Sequence, residues 1–260
     1  MNKKLTLLVL STLIAMNNLS GTQVVKAVES IEKDMLITNE STKSSQVIYV
    51  KGGEGNLNSG NGSLNNPYEN IRTALENVKD GGTIKLIGTV LYTKYETYVD
   101  KSPLPLYINK NITIEGNTKS DGLYLRSPIQ LGANVTFKNM KLEMVPQIML
   151  GRNGGENLNL RILGQEVTRG ATIYAAGHEL TLDGVNTKFG NNADQDNKRP
   201  YISGGAYMNT GKIGKKAVIN VINAANETKI SAIYAGDYRT DRDMDVDINL
   251  DGNLIDTTIY

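Results

Sequence analysis

The sequence predicts an all-β protein: a coiled β-helix, or solenoid, with a short N-terminal capping helix. Three observations predict it. One amphipathic segment near residue 70 has helical periodicity, and no comparable helix follows it. Beyond it the chain breaks into strands of mostly three to six residues, separated by Gly, Asn or Asp. Two short patterns then recur, one of them at intervals of 29, 31 and 26 residues. That is a range in which solenoid coils repeat.

The helical segment is Asn66 to Leu86. Asn66 is placed to cap a helix, Pro67 suits its first position, and Glu69 stands three residues after the cap. Tyr68, Ile71, Ala74, Leu75 and Val78 then share one face. Asp80-Gly81-Gly82 ends the helix and turns the chain into Thr83-Ile84-Lys85-Leu86-Ile87, where apolar and polar residues alternate as in a strand. A short helix followed only by strands is expected to lie over one end of a strand stack.

Met1 to Ala27 has the form of an export signal: Lys3-Lys4, an apolar run from Leu5 to Met16, and the cleavage site Val25-Lys26-Ala27. The run is too short to make a good membrane span, so the expected location is secreted or cell-surface, with no span after cleavage. Removing three lysines leaves 25 basic against 27 acidic residues, a net charge of −2. Nothing in that balance calls for nucleic acid. The chain has no Cys, so an exported domain of this kind relies on a packed core rather than disulfides. Residues 28–46 form a polar leader, and residues 47–260 the β-helix domain.

Val47-Ile48-Tyr49-Val50 is the first strand, and Gly52 to Asn66 is a loop by composition. That loop lacks the glycine spacing of phosphate-binding motifs. Further strands are expected at 83–87, 88–92, 106–108, 112–115, 122–125, 129–131, 135–138 and 140–144. The series continues at 172–175, 180–183, 218–222, 231–234 and 245–250.

The first recurrent pattern is a strand running into a turn that carries an acid or Asn, as in Ile112-Thr113-Ile114-Glu115-Gly116 and Leu180-Thr181-Leu182-Asp183-Gly184. The second is a small-residue strand: Ile173-Tyr174-Ala175-Ala176-Gly177, Ile202-Ser203-Gly204-Gly205-Ala206, Ile233-Tyr234-Ala235-Gly236, and Ile259-Tyr260. A four-residue strand cannot bury its apolar side alone, whereas coils stacked about 4.8 Å apart join their Ile, Val and Leu into one core. Asn at the corners is suited to left-handed backbone and to stacking on the next coil's Asn. Sandwiches and jelly rolls are the rival folds, but they favour longer strands joined by hairpins. Asp256-Thr257-Thr258-Ile259-Tyr260 resembles half of another unit. The expectation is therefore a domain truncated at its C-terminal end, either monomeric or part of a longer chain.

Val47 to Val50, the Gly/Asn loop, Gly62-Ser63-Leu64-Asn65-Asn66-Pro67-Tyr68, Ile71-Arg72-Thr73-Ala74-Leu75 and Asp80-Gly81-Gly82-Thr83-Ile84 together resemble the N-terminal cap of pectate-lyase-like (pectin-lyase-like superfamily) right-handed parallel β-helices. The resemblance is to versions found in large exported, adhesive proteins of Gram-positive bacteria. It implies one of two activities: a non-catalytic adhesive or structural module meeting a host or matrix glycan or protein, or a polysaccharide lyase or glycoside hydrolase acting on an acidic glycan.

A lyase of that type needs calcium held by clustered carboxylates beside an Arg or Lys. Asp241, Asp243, Asp245 and Asp247 alternate along one strand and share a face, which makes them weak calcium candidates. Successive carboxylates stand roughly 6.6 Å apart on a strand face, so two share an ion only with help from a neighbouring coil. A solvated acidic ladder, neutralised by Arg239 and Arg242, is the competing reading. Asp194 and Asp196 form a second candidate cluster in the loop Gly190 to Pro200, as carboxylates flanking a glycosidic bond. Tyr92, Tyr95 and Tyr98 are candidates for a sugar-stacking platform or for packing at a coil corner. Tyr174, Tyr207, Tyr234 and Tyr238 are candidates for a second stripe. His178, the sole histidine, has no Cys or second His to complete a zinc set. It is expected to be structural or exposed. No catalytic set and no cofactor emerges beyond the calcium candidates.

Overall fold

A computed structural model describes residues 46–53, 56, 58–92, 105–144, 147–151, 158–163, 166–167, 172–185, 201–206, 213–224, 230, 232–236, 245–252 and 257–260. All lie within one compact unit, Gln46–Tyr260. The signal and most of the leader expected at residues 1–45 fall outside them.

The chain forms a right-handed parallel β-helix. One face of each coil is built from β1 (Val47–Gly53), the first half of β2 (Thr83–Tyr92), β4 (Ile112–Gly116), β7 (Val135–Lys138), β10 (Asn159–Leu163), β13 (Glu179–Asp183), β15 (Lys216–Ala224) and β17 (Asp245–Gly252). A second face holds the far half of β2 with β5 (Gly122–Leu125), β8 (Lys141–Met144) and β11 (Glu166–Val167). The third consists of β3 (Leu106–Ile108), β6 (Ile129–Leu131), β9 (Gln147–Leu150), β12 (Thr172–Tyr174), β14 (Tyr201–Ser203), β16 (Ala232–Tyr234) and β18 (Thr258–Ile259). The first two faces are one sheet bent over a corner. β2 pairs with β4 through residues 83–86 and with β5 through residues 89–92, and it turns at Gly88, whose φ is 73°.

Every ladder between these strands is parallel and nearly in register. On the first face Ile48, Ile84, Ile114, Phe137, Ile162, Leu182, Val221 and Leu250 stack in one column. On the third, Leu106 is followed by Ile129, Ile148, Ile173, Ile202, Ile233 and Ile259. All but the last member of each column are buried. Each buried aliphatic side chain contributes about 1.5–3 kcal/mol. The small-residue pattern is therefore a true repeat: Ile173, Ile202, Ile233 and Ile259 are direct neighbours across coils. Gly204 sits at a close approach, since a Cβ there would meet the Ala235 carbonyl oxygen at 2.5 Å.

The capping helix α1 (Ile71–Asn77) buries Ile71, Ala74 and Leu75 against the core. It starts later than the sequence predicts. Asn70, not Asn66, is the cap, and its side chain accepts from the Arg72 N–H at 2.9 Å. The Tyr68 backbone is unavailable to a helix because its N–H donates to the Tyr49 carbonyl and its carbonyl accepts from the Lys51 N–H. Glu69 instead accepts from the Asn56 N–H, and hydrogen bonds from Ser59 and Asn56 hold its carboxyl below the usual range. The helix also ends without a left-handed glycine: Val78 leaves in extended conformation. The Lys110 ammonium, just after β3, donates to the carbonyls of Leu75, Glu76 and Val78 at 2.9, 2.8 and 2.7 Å.

The free edge of β1 is occupied too. Tyr49 N–H donates to the Gly62 carbonyl, and Lys51 N–H to that of Tyr68. The loop from Asn61 to Tyr68 thus lies along the first strand.

Candidate functional site

The alternation of β4 to β17 that sends aliphatic residues inward sends polar ones outward, in columns one coil apart. In one column Lys85, Glu115 and Lys138 are register neighbours. The Glu115 carboxylate takes Lys85 at 3.2 Å and Lys138 at 3.0 Å. Partial burial pushes the Glu115 carboxyl up, but the hydrogen bonds and charges of Lys138 and Lys85 outweigh it, so the group lies below its usual range. In another column Asn249 donates to the Asn220 side-chain oxygen at 2.8 Å, and Asn220 to the Thr181 hydroxyl at 3.3 Å. Asn223 donates to the Asp183 carboxylate at 2.7 Å.

At the corner before the first face, each side-chain oxygen accepts a backbone N–H from the next coil. Asp80 takes Asn111 at 2.8 Å, Asn111 takes Asn134 at 3.1 Å, and Asn134 takes Asn159 at 2.8 Å. Stacked asparagines and left-handed asparagines turn out to be different residues: the latter are Asn139 and Asn223, with φ of 51° and 49°.

Of the calcium candidates, Asp245 and Asp247 lie exposed on β17. Asp247 is paired with the Lys216 ammonium at 2.5 Å and raises its pKa. Asp241 and Asp243 fall outside the described residues. Among the described residues no three His, Cys, Asp or Glu side chains converge on a common point. Asp194 and Asp196 also fall outside them, as do Tyr95 and Tyr98.

Tyr92 is 3% exposed, with its ring in the core cluster. Its hydroxyl accepts from Arg72 at 3.2 Å, and the guanidinium stands 6.0 Å from the ring centroid. The pair fixes the capping helix over the coil corner. His178 is buried, and its Nδ1 accepts from the Leu158 N–H at 3.3 Å. Of the two expectations for it, structural or exposed, its burial and this bond fit the first.

Two features go beyond the sequence reading. A cavity of about 390 Å³ opens between α1 and β3, lined by Leu75, Val78, Leu106 and Ile108 with Arg72 and Lys110 at its polar side. Its two cations already serve the helix and the Tyr92 corner. The second feature is a stack of tyrosines on the third face. Tyr201 and Tyr234 have ring centroids 6.5 Å apart, and Tyr234 and Tyr260 5.0 Å apart, with interplanar angles of 20° and 10°. Sequence spacing brings Tyr234 into the expected stripe, but Tyr174 is buried and Tyr207 and Tyr238 fall outside the described residues. Tyr201 and Tyr260 take their place. The signal was the Tyr flanking the recurrent Ile on either side, Tyr201-Ile202 and Ile259-Tyr260.

Among the described residues no helix is long and apolar enough to cross a membrane. No family model, no curated protein and no solved structure matches the chain.

Proposed function

We propose that this chain is a non-catalytic adhesive or structural module of an exported surface protein. The observation that carries the reading is the outward wall of the first face. Its polar side chains are engaged with their neighbours one coil away: Glu115 with Lys85 and Lys138, Asn220 with Thr181 and Asn249, Asp247 with Lys216. Such a wall favours a stiff rod whose surface chemistry serves its own length. The capping segment supports kinship with pectate-lyase-like β-helices of the adhesive type, and the N-terminal Lys-rich and apolar run supports export.

The test is binding of the purified mature chain to a panel of matrix proteins and glycans. A selective, saturable hit is expected for the adhesive role. In parallel, incubation with polygalacturonate and calcium is expected to give no ultraviolet-absorbing unsaturated product. Product formation would replace this reading with the lyase.

A further inference from the structure

We propose that Tyr234 and Tyr260 form an oxidative cross-linking site, coupled into dityrosine by a peroxide-driven one-electron oxidant. Their rings are nearly parallel at 5.0 Å between centroids. The backbone holds them there, since Tyr260 N–H donates to the Ile233 carbonyl and the Ala235 N–H donates to the Tyr260 carbonyl, each at 2.9 Å. Tyr260 is 68% exposed and Tyr234 half-buried, so an oxidant reaches the pair from solvent. Tyr201, on the other side of Tyr234, is farther away at 6.5 Å.

The chemistry balances. Each phenol gives up one electron and one proton, and one peroxide takes both pairs to become two waters. The two phenoxyl radicals join at ring carbons beside their hydroxyls, and the two hydrogens on those carbons move to oxygen, restoring both phenols. The product is two hydrogens lighter. In a chain without Cys this bond supplies the covalent staple between coils that a disulfide supplies elsewhere. Because the stack pre-orients the partners, coupling within the chain outruns coupling between chains.

The test treats the purified protein with hydrogen peroxide and a haem peroxidase. Dityrosine fluorescence is expected with the chain still monomeric on a denaturing gel, together with a proteolytic fragment joining Tyr234 to Tyr260. Tyr260→Phe keeps the ring stack and is expected to lower the fluorescence by about tenfold or more, while Tyr201→Phe changes it less than about twofold. Three results would overturn the assignment: no dityrosine in the parent, a linkage between separate chains as the main product, or Tyr260→Phe retaining the parent's yield.

Discussion

Lys110 ties the C-terminal end of the capping helix to the solenoid, and replacing it with methionine tests how that end is secured. The substitution keeps a flexible stem of similar length and removes the ammonium. Three acceptors lose their donor: the carbonyls of Leu75 and Val78, both partly buried, and that of Glu76, which is exposed. Water replaces the lysine at Glu76. At the other two a charge-assisted bond of about 1.5–3 kcal/mol gives way to partial hydration, and the favourable cation at the helix C-terminus, about 0.3–1 kcal/mol, goes as well. The expected loss is about 3 kcal/mol of local stability, or roughly a hundredfold faster amide exchange at Ala74, Leu75 and Val78. Hydrogen exchange followed by mass spectrometry or NMR is the right assay, because a solenoid need not unfold as one unit and a global midpoint can hide a local opening. Lys110→Arg should recover only part of the loss, since a planar guanidinium does not converge on three carbonyls as an ammonium does. If exchange in Lys110→Met stayed within about threefold of the parent, equivalent to less than about 1 kcal/mol, burial and the Arg72–Tyr92 pair would suffice to secure the helix and the reasoning would fail.

Phe137→Ala, in the middle of the longest core column and fully buried, is expected to cost about 3–5 kcal/mol in urea denaturation. Asn134→Ala removes the acceptor for the Asn159 N–H and should cost about 1 kcal/mol, with faster exchange at that amide. Ala176 holds a left-handed φ of 51° but its methyl is buried, so in Ala176→Gly the relief of strain is offset by added backbone entropy and lost burial, and stability should change by less than about 1 kcal/mol. The Glu115 carboxyl is lowered in the folded state, so its contribution is fully present above the unfolded value and lost as pH falls through the folded one. Acid titration of stability should therefore show a decline below about pH 4.3 that is smaller in Glu115→Gln, and identical profiles would refute the role of the two lysines.

Much of the fold was legible because parallel coils repeat the same side chain at the same place. The Ile of each Ile-Tyr or Ile-Ser unit had to lie in one column, and Ile173, Ile202, Ile233 and Ile259 do so. Strands β9, β10 and β11 were missed. Leu158, Leu160 and Ile162 alternate as a strand should, but Leu160 and Leu180 are register partners only 20 positions apart, outside the interval set by the small-residue units. The helix start was misplaced because Asn66 satisfies the local rules for a cap as well as Asn70 does. What decided between them was Tyr68 pairing with Tyr49 and Lys51, a contact that local propensity does not contain. Surface chemistry was least legible, because it depends on which residues of different coils become neighbours. Lys216 meets Asp247 across 31 positions, and Tyr201 meets Tyr234 across 33.

The loop along β1 has a consequence for association. An uncovered outermost strand offers its amides and carbonyls to any extended peptide and so seeds fibrous accretion. Here Gly62 and Tyr68 take the hydrogen bonds that such a guest would need, and two of the glycines that let the loop fit so closely, Gly60 and Gly62, have φ of 80° and 77°. Polymerisation through β1 is thus blocked by the chain itself, and bulky substitutions at those two glycines would be the mutations most apt to release it.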